Sequence, residues 1–285
     1  MPTYDTPGHV LLDLEIPMGR IDIETEPGTT TEVTLEPLSD DPITRELIDS
    51  ARIEHRTRGQ GHEVTVLVTQ PRGFFIYFGR GPSLHLRVRC PEGADVEVRT
   101  KSADVQARGT FGGFDAKTAS GDIHVDEVGG NTRVKSASGD VAIQTTRGQA
   151  DINTASGDLW IQRAHGPVRV ALVSGDVHVV DAASSVSANT VSGDVLLGAV
   201  TEGSFELRSI SGDIRVGVRR GSRVFVDANT VSGSTSSELE LSDSPGAGGG
   251  EPEGPLVEIF GKTVSGDIGI ERAAAPTPLA EPGER

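Results

Sequence analysis

A chain of 285 residues has ample length for one continuous core, and 36 glycines with only 4% aromatic residues favour short strands and turns over packed helices. A formal net charge of −16 excludes a phosphate-tracking nucleic-acid surface, which needs clustered Lys and Arg, and general attraction to anionic lipid. Cys90 is the only cysteine, so no intrachain disulfide can form, which fits a reducing compartment.

The first nine residues carry neither a basic n-region nor an apolar h-region. No run approaches the roughly 20 apolar residues that span a bilayer. A cytoplasmic protein without a transmembrane segment is expected. Residues 10–16, 19–24, 63–68 and 84–90 alternate or run apolar in the manner of strands, and 94–98 continues the pattern. A short helix is expected over residues 41–51, with Pro42 in its first turn and Ile43, Leu47 and Ile48 on one face. Residues 1–100 therefore read as an irregular β cap region with one short helix, hiding the strand edge of the remaining chain.

Inside that region Phe74, Phe75, Ile76, Tyr77 and Phe78 form an aromatic segment bounded by glycines and arginines. Period-2 alternation cannot bury all five on one face. The segment reads either as a plug over the first rung or as an exposed hairpin. The hairpin would dock on a protein partner, on a second copy, or shallowly on a membrane.

From residue 101 to 270 the chain repeats. Ser-Gly-Asp begins at Ser120, Ser138, Ser156, Ser174 and Ser192, each 18 residues after the last, then at Ser211 and Ser265. Ser102-Ala103-Asp104 and Ser232-Gly233-Ser234 are degenerate copies. The residue after each Asp is apolar (Ile123, Val141, Leu159, Val177, Val195, Ile214, Ile268), and so is the residue two further on. The position between is mixed, as in His124, Trp160 and His178. The residue before each Ser (Ala119, Ala137, Ala155, Val173, Val191, Ile210, Val264) is small or apolar and is grouped with the inward set.

Units this small cannot bury their own apolar faces. Stacked at about 4.8 Å, with Gly at a tight corner, they form one core. The expected fold is all-β, a β-solenoid or β-helix with 18-residue rungs of two or three sides. Residues 242–254, rich in Gly, Pro and acidic side chains, are expected to be a disordered loop, and 271–285 a disordered tail.

The run Val88, Pro91-Glu92-Gly93-Ala94-Asp95-Val96, followed by repeated Ser-Gly-Asp-Ile/Val, resembles the bacterial DUF4097 family, often labelled putative adhesin. The resemblance spans roughly residues 10–270. It implies a β-strand repeat fold, and it brings no catalytic residues to carry over.

The Asp column (Asp122, Asp140, Asp158, Asp176, Asp194, Asp213, Asp267) is the first candidate site. In register, neighbouring carboxylates about 5 Å apart repel by roughly 0.8 kcal/mol in water and about 3 kcal/mol at an effective dielectric of 20. Turn amides and the neighbouring Ser can offset this. A row of bound Ca²⁺, as in a calcium-dependent β-roll, would also do so, although one Asp motif per rung falls short of six to eight oxygens. His124 and His178 stand three rungs apart, about 14 Å, too far to share a metal. No Gly-x-Ser-x-Gly turn is present. No metal or cofactor is expected, and no catalytic residue is assigned.

The reading is a non-catalytic structural or interaction scaffold, with self-association as its extension. The alternatives are a carbohydrate-binding or carbohydrate-cleaving β-helix using Trp160 and nearby Asp and Arg, and the calcium β-roll.

Overall fold

The repeating unit folds as two strands and two corners. Ile123–Val128 follows the Ser-Gly-Asp corner, and Thr132–Ser138 returns after a second corner at residues 129–131. Each strand pairs in parallel with its counterparts one unit away. Val141 lies between Ile123 and Leu159, and Thr132 lies between Phe114 and Ala150. The rung is therefore two-sided. One inward column runs Ile123, Val141, Leu159, Val177, Val195 and the facing one Phe114, Thr132, Ala150, Val168, Val186, and all ten side chains are buried. Each large aliphatic contributes roughly 1.5–3 kcal/mol by leaving water.

In the intact copies the corner requires glycine. Gly157 has φ +120°, and a Cβ there would meet the carbonyl oxygen of Gly139 at 2.2 Å. The preceding rung's backbone occupies the space a side chain would need.

The structure, a computed structural model, describes residues 2–39, 41–59, 61–69, 83–239 and 254–273. These form a nearly all-β molecule in which every strand joins one continuous sheet, with one helix, Pro42–Asp49. Among the described residues no helix is long and apolar enough to cross a membrane. The segments expected to be disordered lie outside the described residues, apart from Gly254 and residues 271–273.

The rungs do not stack in chain order at either end. The strand Val10–Glu26 pairs in parallel with Asp95–Phe111 on one side, and with Gly61–Leu67 and Leu84–Pro91 on the other. It is a full rung. Gly19, at φ +121°, falls in register with Ala103 of the degenerate copy. At the far end Leu256–Ser265 pairs with Gly203–Arg208 and also with Arg223–Ser232. The companion strand Ile268–Arg272 lies between Ile214–Val218 and Thr235–Ser237. The first and last full rungs in sequence are thus each inserted as the penultimate rung in space.

Beyond the first rungs the pairing turns antiparallel. Arg52–Arg58 covers Gly61–Leu67, Thr30–Pro37 covers Leu84–Pro91, and Thr3–Asp5 closes on Thr30–Pro37. The helix is held by Asp41 as N-cap, whose carboxylate accepts from the Ile43 and Thr44 amides. Its Leu47 is fully buried. Ser39 and Thr44 hydroxyls and the Thr44 amide bring the Asp41 carboxyl down to about 2.

Candidate interaction surface

The seven motif aspartates form one column with Asp104 at its head. The Asp122 amide donates to Asp104 Oδ1, and the same link repeats through Asp140, Asp158, Asp176, Asp194, Asp213 and Asp267 at 2.8–2.9 Å. Ser234, the degenerate copy, ends the column by donating its amide and hydroxyl to Asp267 Oδ1 at 2.7 and 2.9 Å. Those two donors hold the Asp267 carboxyl below the usual carboxylate range. The carboxylates act as acceptors for the neighbouring rung's backbone. Among the described residues no three His, Cys, Asp or Glu side chains gather as a metal site.

Six of the seven histidines are engaged with a neighbouring side chain. His9 meets Asp95 at 2.8 Å and His85 meets Asp22 at 2.6 Å, while His55 and His62 contact each other at 2.9 Å. His178 packs edge-on against Trp160, ring centroids 4.0 Å apart, and burial pushes its pKa down. His124 lies 3.4 Å from Asp126. Trp160 leans on His178 on the outer face of a sheet. A shallow groove of about 310 Å³ lies elsewhere, lined by Arg20, Asp104, Gln106, Asp122, His124 and Asp140 among others. The Cys90 thiol is buried, which pushes its pKa up to about 12. The aromatic segment, Phe74 to Phe78, lies outside the described residues.

A different set of side chains forms an exposed apolar feature among the described residues. The residues before each Ser do not face the core. Val173, Val191, Ile210, Val264 and Val231 stand 55%, 44%, 52%, 48% and 79% exposed. In space they form one column in that order, because Ser174, Ser192, Ser211, Ser265 and Ser232 are aligned rung by rung. Ala119, Ala137 and Ala155 continue the column, also exposed, toward the N-terminal end.

The reason is an inversion at the corner. The position one earlier points inward and is mostly Thr or Ser, and several of these hydroxyls donate to corner carbonyls. Thr118 donates to Ser120 O at 2.8 Å, Thr154 to Ser156 O at 3.1 Å and Thr263 to Gly212 O at 3.2 Å. Period-2 alternation then places the aliphatic residue outside. The backbone beneath is fixed, since Val173, Val191 and Ile210 carbonyls each accept from the next rung's Ser amide at 2.9 Å.

The aliphatic column spans about 19 Å at the strand spacing. It is flanked by Arg208 and Lys262 on the strand side and by Asp194, Asp213 and Asp267 beyond the corner. Its last two strands, Leu256–Ser265 and Arg223–Ser232, carry further exposed apolar groups at their opposite ends, about 20 Å or more along the strand from the column. Phe225 (52% exposed) and Leu256 (42%) lie there, and the Phe225 ring is 5.9 Å from that of Phe260.

A two-sided parallel β-solenoid with an outward aliphatic column defines a repeat scaffold class. The chain belongs to the Toastrack DUF4097 family, whose model matches residues 18–271. No curated protein matches it. Solved structures similar to it include a putative adhesin from Bacteroides fragilis, 11% identical, covering 94% of this chain and 95% of that one with a TM-score of 0.45. A putative adhesin from Parabacteroides distasonis is 12% identical, with 94% and 95% coverage and a TM-score of 0.46. A putative lipid binding protein from the same organism is 10% identical, with 93% and 92% coverage and a TM-score of 0.41.

Proposed function

We propose that this protein is a non-catalytic interaction scaffold of the adhesin kind, and that the column Val173, Val191, Ile210, Val264 and Val231 is the face that binds its protein partner. The single observation behind this reading is that five β-branched side chains stand exposed in one aligned row. A contiguous apolar row on a chain of such high charge costs solubility unless something covers it. The row has a rigid backbone and a charged border on each side, the anatomy of an interface core with a polar rim. Six of the seven histidines and the Asp column are occupied by structural partners, which favours binding over chemistry.

The test is an Ile210→Lys, Val264→Lys double variant, checked for unchanged circular dichroism and melting. Wild type and variant are each used to recover bound proteins from the native cell extract. Proteins recovered by the wild type and lost from the variant support the reading. Recovery of the same proteins by both overturns it.

A further inference from the structure

We infer that the strand Arg223–Ser232 pairs antiparallel with the same strand of a second copy, joining two solenoids end to end about a two-fold axis. This goes beyond the aliphatic column and stands on different residues.

Arg223–Ser232 is the outermost rung strand. Leu256–Ser265 pairs with one of its edges, and among the described residues nothing pairs with the other. The Arg223 amide donates inward to the Pro255 carbonyl at 2.9 Å. Since successive residues of a ladder address opposite edges, the amides and carbonyls of Val224, Val226 and Ala228 point to the free edge. Their side chains point at the core and are only partly buried, whereas Val257 and Ile259, which pair with Val224 and Val226 on the inner neighbour, are fully buried. Among the described residues both the hydrogen-bond ladder and the core stop one strand short of completion.

The opposite end of the molecule cannot complete it. There the pairing has turned antiparallel, and the edge strand Arg52–Arg58 carries Arg52, Glu54, Arg56 and Arg58. A charged edge of this kind resists further pairing. Head-to-tail stacking, which would grow an open filament, is therefore disfavoured at this edge, and the other edge strand there, Thr3–Asp5, is only three residues long. The free end is left to meet its own kind in a closed two-fold pair.

The corner chemistry agrees. In every inner rung the Asp carboxylate receives an amide from the next rung stacked in parallel. Ser234 replaces that acceptor and turns its hydroxyl back to Asp267. The terminal corner offers no carboxylate to a further parallel rung, and an antiparallel partner strand needs none.

The side chains restrict the register. Core faces join only if inward residues oppose inward residues. Placing Val226 opposite Val226 of the second copy sets Val224 opposite Ala228 and makes both hydrogen-bonded pairs. Arg223 then opposes Asn229 and lies diagonal to Asp227 of the second copy, an opposite-charge pair that the two-fold axis makes twice. Shifting the register one way would set Asp227 against Asp227, which like-charge repulsion disfavours. Shifting it the other way sets Phe225 against Phe225 and Arg223 directly opposite Asp227, so either of the two allowed registers pairs Arg223 with Asp227.

The experiment is light scattering across a range of protein concentrations, on the full chain. The wild type is expected to pass from monomer to dimer and no further. Val226→Pro, which removes one free-edge amide and leaves the bonds to Leu256–Ser265, is expected to stay monomeric. Arg223→Asp or Asp227→Arg alone should weaken the dimer about fivefold, and the two together should restore it. A wild type that is monomeric throughout, or larger assemblies that grow with concentration, would overturn the pairing. So would a Val226→Pro protein that still dimerises. A monomer whose Val224, Val226 and Ala228 amides resist hydrogen exchange would mean that the chain covers its own edge, and that too would overturn it. The Ile210→Lys, Val264→Lys variant should dimerise normally, so loss of its extract partners reads separately from loss of the dimer.

Discussion

The Asp267 amide donates to the Asp213 carboxylate at 2.9 Å although 54 residues separate them. The nearer copy in sequence, Ser232-Gly233-Ser234, instead sits on the far side of Asp267. One hydrogen bond thus records that the last full rung in sequence is inserted beneath its predecessor.

A chain ending at Leu239 should therefore lose more than its own missing residues. Arg223–Ser232 and Thr235–Ser237 pair only with the inserted rung among the described residues. In hydrogen exchange, residues 223–237 are expected to lose protection in the truncated protein while residues 123–182 keep theirs. Retained protection at 223–237 would mean that this segment stacks directly on residues 203–218.

The Asp column makes a contrast between two substitutions at one site. Asp158→Ala removes the acceptor of the Asp176 amide and should cost about 1 kcal/mol. Asp158→Asn keeps an acceptor oxygen and relieves like-charge repulsion, so its stability in denaturant melts should equal or exceed the wild type at low salt. A chelator should leave the melting temperature unchanged. A fall of several degrees with chelator would point to bound cations on the column.

Inward and outward positions should separate sharply along one strand. Val177 is 1% exposed, and Val177→Asp buries an unpaired charge at a cost of several kcal/mol, roughly 3–5. Its neighbour His178 rests on Trp160, so His178→Asp should cost only about 0.5–1 kcal/mol through lost ring packing. Equal losses in urea melts would refute the assigned faces.

Acid should weaken the helix and the end corner. Asp41 falls from an ordinary value of 3.8 to about 2 on folding, and Asp267 is also lowered. The unfolded chain takes up these protons first as pH drops. The stabilisation is therefore complete above pH about 4 and is lost as pH falls toward about 2. Asp41→Asn keeps the helix cap but cannot titrate, so its stability profile should be flatter over that window.

Most of the fold was legible because the rung obeys a fixed period. The 18-residue spacing of Ser-Gly-Asp sets which residues align, and alternation after each Asp marks Ile123, Val141 and Val177 as core. The helix was readable from Pro42 and Leu47, although it ends at Asp49 rather than Ala51. The candidate surface was less legible. Val173, Val191 and Ile210 share the apolar character of core positions, and their outward placement follows from the inward turn of Leu172, Thr190 and Ser209 just before them. The Thr or Ser two residues before most Ser-Gly-Asp motifs was the signal available. In the first rung Gly19 marked a corner, but Met18 and Arg20 stand where the motif has Ser and Asp.

The sequence by itself determined the unit, its inward columns and its glycine corners, because those follow from local periodicity and from the space a Cβ would need. The order of the rungs at each end was decided only by the tertiary structure. Every copy carries similar inward columns, so local pattern cannot choose which copy stacks on which. That choice belongs to contacts made across the whole chain: Val10–Glu26 between Leu84–Pro91 and Asp95–Phe111, and Leu256–Ser265 between Gly203–Arg208 and Arg223–Ser232. Insertion pairs each of these strands on both edges, which protects them from the fraying that unpaired terminal strands suffer.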